Sequence, residues 1–271
     1  MIDLLNILLP ALYAVTAVLY AMHFFTDEVD VERYLTPAFV FTLIIHGIDL
    51  TLRTIFYQHF PTASPAEVMT VIAFAMGIIY LWIESILSVK TTGMFVIGLM
   101  TVFQIISSAT IDFIPDINPI LQSPLFSFHT GSAILGYSSI AISALYALLY
   151  LLLFYDIKGS RFSVFYKKLP SLEVLDTMNT KAAAAGFTFL TATILLGAIW
   201  TRIAFEQLIV FDWKILLALA TWAIFGFAVA SKRWMGWSGK RIAYISLTGF
   251  TTIVISMTVV NHFLTSFHKF Y

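Results

Sequence analysis

The chain has 271 residues, 60% apolar and only 11% charged, with a mean hydropathy of +0.91; soluble domains carry about a quarter charged residues, so an ordinary water-soluble globule is excluded. Fifteen basic and fifteen acidic residues cancel, which leaves no basic field for nucleic acid. With no cysteine, the chain can form no disulfide, thiolate metal site or thiol relay of its own, and metal chemistry falls to histidine.

Stretches free of Asp, Glu, Lys and Arg run, in chain order, over Leu4 to Thr26, Tyr34 to Ile48, Val68 to Ile83, Thr91 to Ile111, Thr130 to Tyr155, Ala182 to Thr201, Ile215 to Ser231 and Ile242 to Phe267. Each approaches the roughly 20 residues that cross a bilayer as a helix. The first is too long for a signal-peptide core and lacks a basic leader, so it reads as a retained span. The second is long enough only if Asp49 and Arg53 lie near its outer end and face inward. A stretch such as Ile134 to Phe154 is apolar on every side, without the alternation of a transmembrane strand. The expected fold is therefore an all-α integral membrane protein, an eight-helix transmembrane bundle forming a single polytopic domain over residues 1–271.

Cations set the expected orientation, because short cytoplasmic loops hold an excess of Lys and Arg. Arg33, Lys90, Lys158, Arg161, Lys167, Lys168, Lys181, Lys232, Arg233, Lys240 and Arg241 fall on one side; Arg53, Arg202, Lys214 and Lys269 fall on the other. The richer side is assigned to the cytoplasm, which makes both termini extracytoplasmic.

This topology sorts the histidines by depth. His129 opens span five and His268 follows span eight, so both lie at the outer surface. Two neutral imidazoles approaching from opposite sides form the axial ligand set of a low-spin haem. A solvated or capping histidine at a helix end is the competing reading of each. Span two holds His46, Asp49 and Arg53 on one helical face, at spacings of three and four residues. Asp49 can pair with Arg53 or orient His46 by accepting a ring N–H. The face reads either as functional, with His46 near the midplane binding a second haem or holding one in transit, or as a structural polar clasp. His23, His59 and His262 are given no role.

Between spans six and seven, Trp200, Arg202, Glu206, Asp212, Trp213, Lys214 and Trp222 crowd one outer stretch. Tryptophans favour any membrane interface, so alone they identify no cofactor platform. Arg202 and Lys214, at the depth of His129 and His268, suit the two propionates of haem, against the alternative of ordinary topology signals.

Five segments in this order, His129-Thr-Gly-Ser-Ala-Ile-Leu-Gly-Tyr, Leu196-Gly-Ala-Ile-Trp200, Asp212-Trp213-Lys214, Leu219-Ala-Thr221-Trp222 and Ser266-Phe-His268-Lys-Phe-Tyr, together with the spans, resemble the cytochrome c assembly protein family, the polytopic haem-handling proteins of the CcsA and HemX type. The resemblance runs nearly end to end. It implies that His129 and His268 match the two extracytoplasmic histidines that ligate haem, and that Trp200, Asp212, Lys214 and Trp222 belong to the platform on which haem is presented. Haem b in transit is the implied cofactor. Apocytochrome c and a second cytochrome c maturation membrane protein are the implied partners, in a prokaryotic plasma membrane.

The chain also departs from the family pattern. Phe205, Ile209 and Phe211 occupy expected tryptophan positions, Trp213 and Ile215 replace the Pro and Glu that close the segment, and Ala230 stands where an intramembrane histidine is expected. These departures place it nearest the HemX-like branch, and an autonomous enzyme is not expected; the chain would take part in a cytochrome c-haem lyase system by holding and presenting haem. A regulator or scaffold acting on a haem-synthesis enzyme through the basic loop from Lys158 to Lys181 is the alternative. A di-haem electron-transfer subunit using His46 ranks below both.

Overall fold

The computed structural model describes residues 1–26, 29–111, 122–205 and 213–256, and every regular element within them is a helix. The elements are α1 (Ile2–Thr26), α2 (Val29–Tyr57), α3 (Pro65–Leu87), α4 (Gly93–Thr110), α5 (Pro124–Lys158), α6 (Val164–Lys168), α7 (Leu172–Phe205), α8 (Trp213–Met235) and α9 (Lys240–Ile255). Seven of these, α1 to α5, α7 and α8, are long and apolar enough to cross a membrane. They coincide with the first seven expected spans. The described part of the eighth is α9, and the rest of Ile242 to Phe267 lies outside the described residues.

The helices outrun the charge-free stretches. α7 begins at Leu172 and carries Glu173, Asp176 and Lys181, while α2 continues through Asp49 and Arg53 to Tyr57. A charge interrupts an apolar run without interrupting i to i−4 hydrogen bonding, so the helix ends where its backbone bonding ends rather than where lipid does. At α3 the local cause of the start is visible. Ser64 is the extended N-cap, its Oγ accepts the Glu67 N–H at 3.1 Å, Pro65 sits where no N–H is needed, and Glu67 Oε2 accepts the Ala63 N–H at 2.6 Å.

The chain forms two compact units. The first takes the described residues of Met1–Ser123 with Lys168–Pro170. In it α1 packs on α2 and α4, and α3 on α2 and α4. Leu9, Tyr13, Thr16, Tyr20 and Phe24 recur every three or four residues and line the buried face of α1. Opposite them α2 buries Phe39, Thr42, His46, Asp49 and Arg53. The apolar interior of this unit therefore holds a set of buried polar groups. Glu84 accepts the Tyr20 hydroxyl at 2.7 Å and the Thr36 hydroxyl at 2.6 Å, and the Thr16 and Thr42 hydroxyls meet at 3.0 Å.

The second unit takes Pro124–Lys167 and the described residues from Ser171 onward. Its backbone is the long antiparallel pair α5 and α7, against which α8 and α9 pack. Ile140, Ala183, Leu190, Phe225 and Ile253 form the core, flanked by Tyr137, Phe187, Trp222 and Phe250. Polar ties are few and specific. Asn179 Oδ1 accepts the Ser143 hydroxyl at 2.6 Å and the Ser246 hydroxyl at 2.9 Å, so one α7 amide links α5 and α9. Asp176 pairs with Lys232 and accepts the Gly239 N–H at 2.8 Å; Gly239 has a φ of +61°, a conformation that glycine adopts without a Cβ penalty.

Candidate functional site

His129 stands in the second turn of α5, beside the C-terminal third of α7. Its Nδ1 lies 3.0 Å from the carbonyl oxygen of Thr193. A carbonyl only accepts, so Nδ1 carries a proton, and in the neutral ring Nε2 then carries the lone pair. This is the tautomer and the backbone anchor of a metal-ligating histidine. The Trp200 indole, buried, runs parallel to the imidazole with an interplanar angle of 8° and 6.3 Å between centroids. Phe126 packs against the same indole at 5.3 Å. The His129 ring also lies over Gly197, where an added Cβ would come within 2.8 Å of Cε1. Thr193, Gly197 and Trp200 follow one another at helical spacing, so one face of α7 meets one imidazole.

The other expected site residues are distributed as follows. Trp222 on α8 stacks on Phe187 at 5.5 Å and donates Nε1–H to the Thr191 hydroxyl at 2.8 Å, so it holds α8 to α7. Arg202 is exposed in the last turn of α7, where a cation also suits the helix C-terminus. Lys214 falls in the first turn of α8. Asp212 and His268 lie outside the described residues. Within those residues, no three His, Asp or Glu side chains are grouped as a metal site.

His46 belongs to the first unit and is fully buried. Its Nδ1 is 2.8 Å from the Tyr13 hydroxyl and its Nε2 is 2.9 Å from the Thr70 hydroxyl. Thr70 donates to Gln104 Oε1 at 2.8 Å, so it accepts from the imidazole, which makes Nε2 the protonated nitrogen and Nδ1 the acceptor from Tyr13. Gln104 passes the chain of donors on to the Ser108 hydroxyl at 3.1 Å. Both ring nitrogens are thus engaged. The expected option of Asp49 orienting His46 is replaced by another pairing: Arg53 Nε donates to Asp49 Oδ2 at 2.8 Å, and Arg53 Nη2 to Asn6 Oδ1 at 3.2 Å. The guanidinium one turn away offers charge as well as a hydrogen bond, whereas the neutral imidazole offers only the bond.

Sequence reasoning missed Thr193, Gly197 and Ser132 at His129, and Tyr13, Thr70, Gln104 and Asn6 around His46. Gly197 sits inside the segment Leu196-Gly-Ala-Ile-Trp200, so its place was marked. The polar residues of the first unit were visible as interruptions of apolar spans, but nothing in their spacing named their partners.

A family model described as cytochrome C assembly protein matches residues 62–268, a stretch that contains the whole α5 to α9 region and reaches His268. The cytochrome c biogenesis protein CcsA of Mesostigma viride is 22% identical over 279 residues, covering 93% of this chain and 90% of that protein. CcsA of Chlamydomonas reinhardtii is 32% identical over 136 residues, half of this chain and 37% of the algal protein. Protein HemX of Brevibacillus brevis is 24% identical over 223 residues, 79% of either chain. The resemblance read from the motifs is borne out, and this multi-pass integral membrane chain belongs to the cytochrome c assembly protein family.

Proposed function

We propose that the protein handles haem in c-type cytochrome biogenesis: it holds haem at the outer membrane face between His129 and His268 and presents it for attachment to an apocytochrome. The observation that carries this reading is the His129 Nδ1–H bond to the Thr193 carbonyl, which sets Nε2 as the basic nitrogen of a neutral, oriented imidazole. The residues present suit haem as cargo. Iron takes imidazole nitrogen axially, aromatic rings such as Trp200 suit a porphyrin edge or face, and Arg202 with Lys214 suits propionates. Family membership supports the same reading, since the matched stretch includes both histidines.

On this reading the chain works as one polytopic domain of eight spans with both termini outside, in a prokaryotic plasma membrane, and its cargo is haem b. His129 and His268 bind and orient haem, Trp200 and Trp222 shape the platform with Asp212, and the apocytochrome brings the thiols that this chain lacks. A second maturation protein in the membrane keeps those thiols reduced. The test is a strain whose own copy is replaced by His129→Ala or His268→Ala. Covalently bound haem in its c-type cytochromes is expected to fall to the level of the deletion strain; wild-type levels with both variants would overturn the proposal.

A further inference from the structure

The contacts around His129 form a closed loop that comes back to a single α7 residue. Thr193 accepts the ring N–H through its carbonyl at 3.0 Å. Its hydroxyl proton is shared between the Phe189 carbonyl oxygen at 2.8 Å and Ser132 Oγ at 3.0 Å, and Ser132 in turn donates to the carbonyl of His129 itself at 2.8 Å. Both the ring and the backbone of His129 are therefore tied to Thr193. The ring can reach that carbonyl because α7 has no side chain one turn further along. At Gly197 a Cβ would stand 2.8 Å from Cε1 and 3.0 Å from Nδ1 of the imidazole. The first distance is shorter than real Cβ contacts and the second is tighter than most, and the atoms approached belong to the end of a side chain. The cheapest relief is rotation of the imidazole away from α7, with the helices left in place. That rotation breaks the bond to Thr193 and frees the ring to exchange its tautomer.

We propose that Gly197 and Thr193 are positioning residues for His129: the missing side chain at Gly197 and the carbonyl and hydroxyl of Thr193 hold the ring plane and keep the proton on Nδ1. This deepens the haem reading and rests on it for its purpose, while the geometry is a property of the chain alone. Trp200 lies parallel to the ring, with 6.3 Å between centroids. With the proton held on Nδ1, the ring need not select a tautomer when its other nitrogen meets iron.

The experiment uses the full chain in detergent with ¹⁵N-labelled histidine. The His129 signals are identified by their absence in His129→Gln, and haem retention is measured on the same preparations. The parent is expected to show His129 as the Nδ1–H tautomer. Gly197→Ala is expected to lose that tautomer and to hold haem about tenfold less tightly, as when the group orienting a ligand histidine is removed. Gly98→Ala is the control, since a Cβ there meets nothing within 4 Å among the described residues; it is expected to match the parent. Thr193→Val keeps the carbonyl and removes the hydroxyl tie, so it is expected to give an intermediate result, and it decides the question if Gly197→Ala does not fold. His129 found as Nε2–H in the parent, or unchanged tautomer and haem retention in both α7 variants, would overturn the positioning role. A parent that shows the expected tautomer but takes up no added haem would overturn the haem reading and leave the positioning role standing.

Discussion

His46 and His129 are both histidines set among apolar helices, and their surroundings differ in kind. Around His46 the neighbours are side chains with hydroxyls, and a hydroxyl can give or accept; one serves each ring nitrogen, so the imidazole becomes the hub of a donor chain from Tyr13 to Ser108. At His129 the Nδ1 nitrogen faces a backbone carbonyl, which can only accept, and the ring is packed by an indole and a bare glycine. The first arrangement binds helices together. The second fixes a tautomer and leaves Nε2 as the ring's basic nitrogen. On the proposed reading, the neighbour a histidine meets, more than how deeply it is buried, separates a clasp from a ligand position.

The contrast can be broken most forcefully at the ion pair beside His46. Arg53→Met leaves Asp49 buried without its cation, and the cost is expected to be about 3–5 kcal/mol, measured by unfolding in mixed detergent. Asp49 Oδ1 already has no partner among the described residues, so the remaining carboxylate has little to fall back on. Next in size is His46→Phe, which strands the Tyr13 hydroxyl and leaves Thr70 only its bond to Gln104; a loss of about 1–3 kcal/mol is expected, with haem retention at the parent level. Loss of haem in that variant with stability unchanged would make His46 a ligand and erase the contrast. Asn179→Leu, which removes the acceptor shared by Ser143 and Ser246, should cost about 1 kcal/mol. Trp222→Phe removes only the Nε1–H bond to Thr191 and keeps a ring against Phe187; about 0.6 kcal/mol is expected, and a loss several times larger would show that Trp222 does more than hold α8 to α7.

Much of the fold was legible because lipid leaves a coarse signature. Seven runs without charge became seven helices of spanning length. Their limits were less legible, since Asp176 is tolerated inside α7 once Lys232 and the Gly239 N–H meet it. Helical spacing placed His46, Asp49 and Arg53 on one face, and that face is indeed buried. Their partners could not be read, because Tyr13, Thr70 and Gln104 come from three other helices and carry no periodic mark of their own. At His129 the histidine and Trp200 were legible from type and position. Thr193 acts largely through its backbone and Gly197 through an absent side chain, and neither leaves a chemical label in a sequence.

The central claim is that His129 and His268 together ligate haem, and the most direct measurement is the visible absorption spectrum of the purified protein, oxidised and reduced, for the parent, His129→Ala and His268→Ala after haem is added to the membranes. The parent is expected to carry low-spin haem with two imidazole ligands, and each variant to lose haem or turn high-spin. Identical low-spin spectra in all three proteins, or a parent without haem, would contradict it.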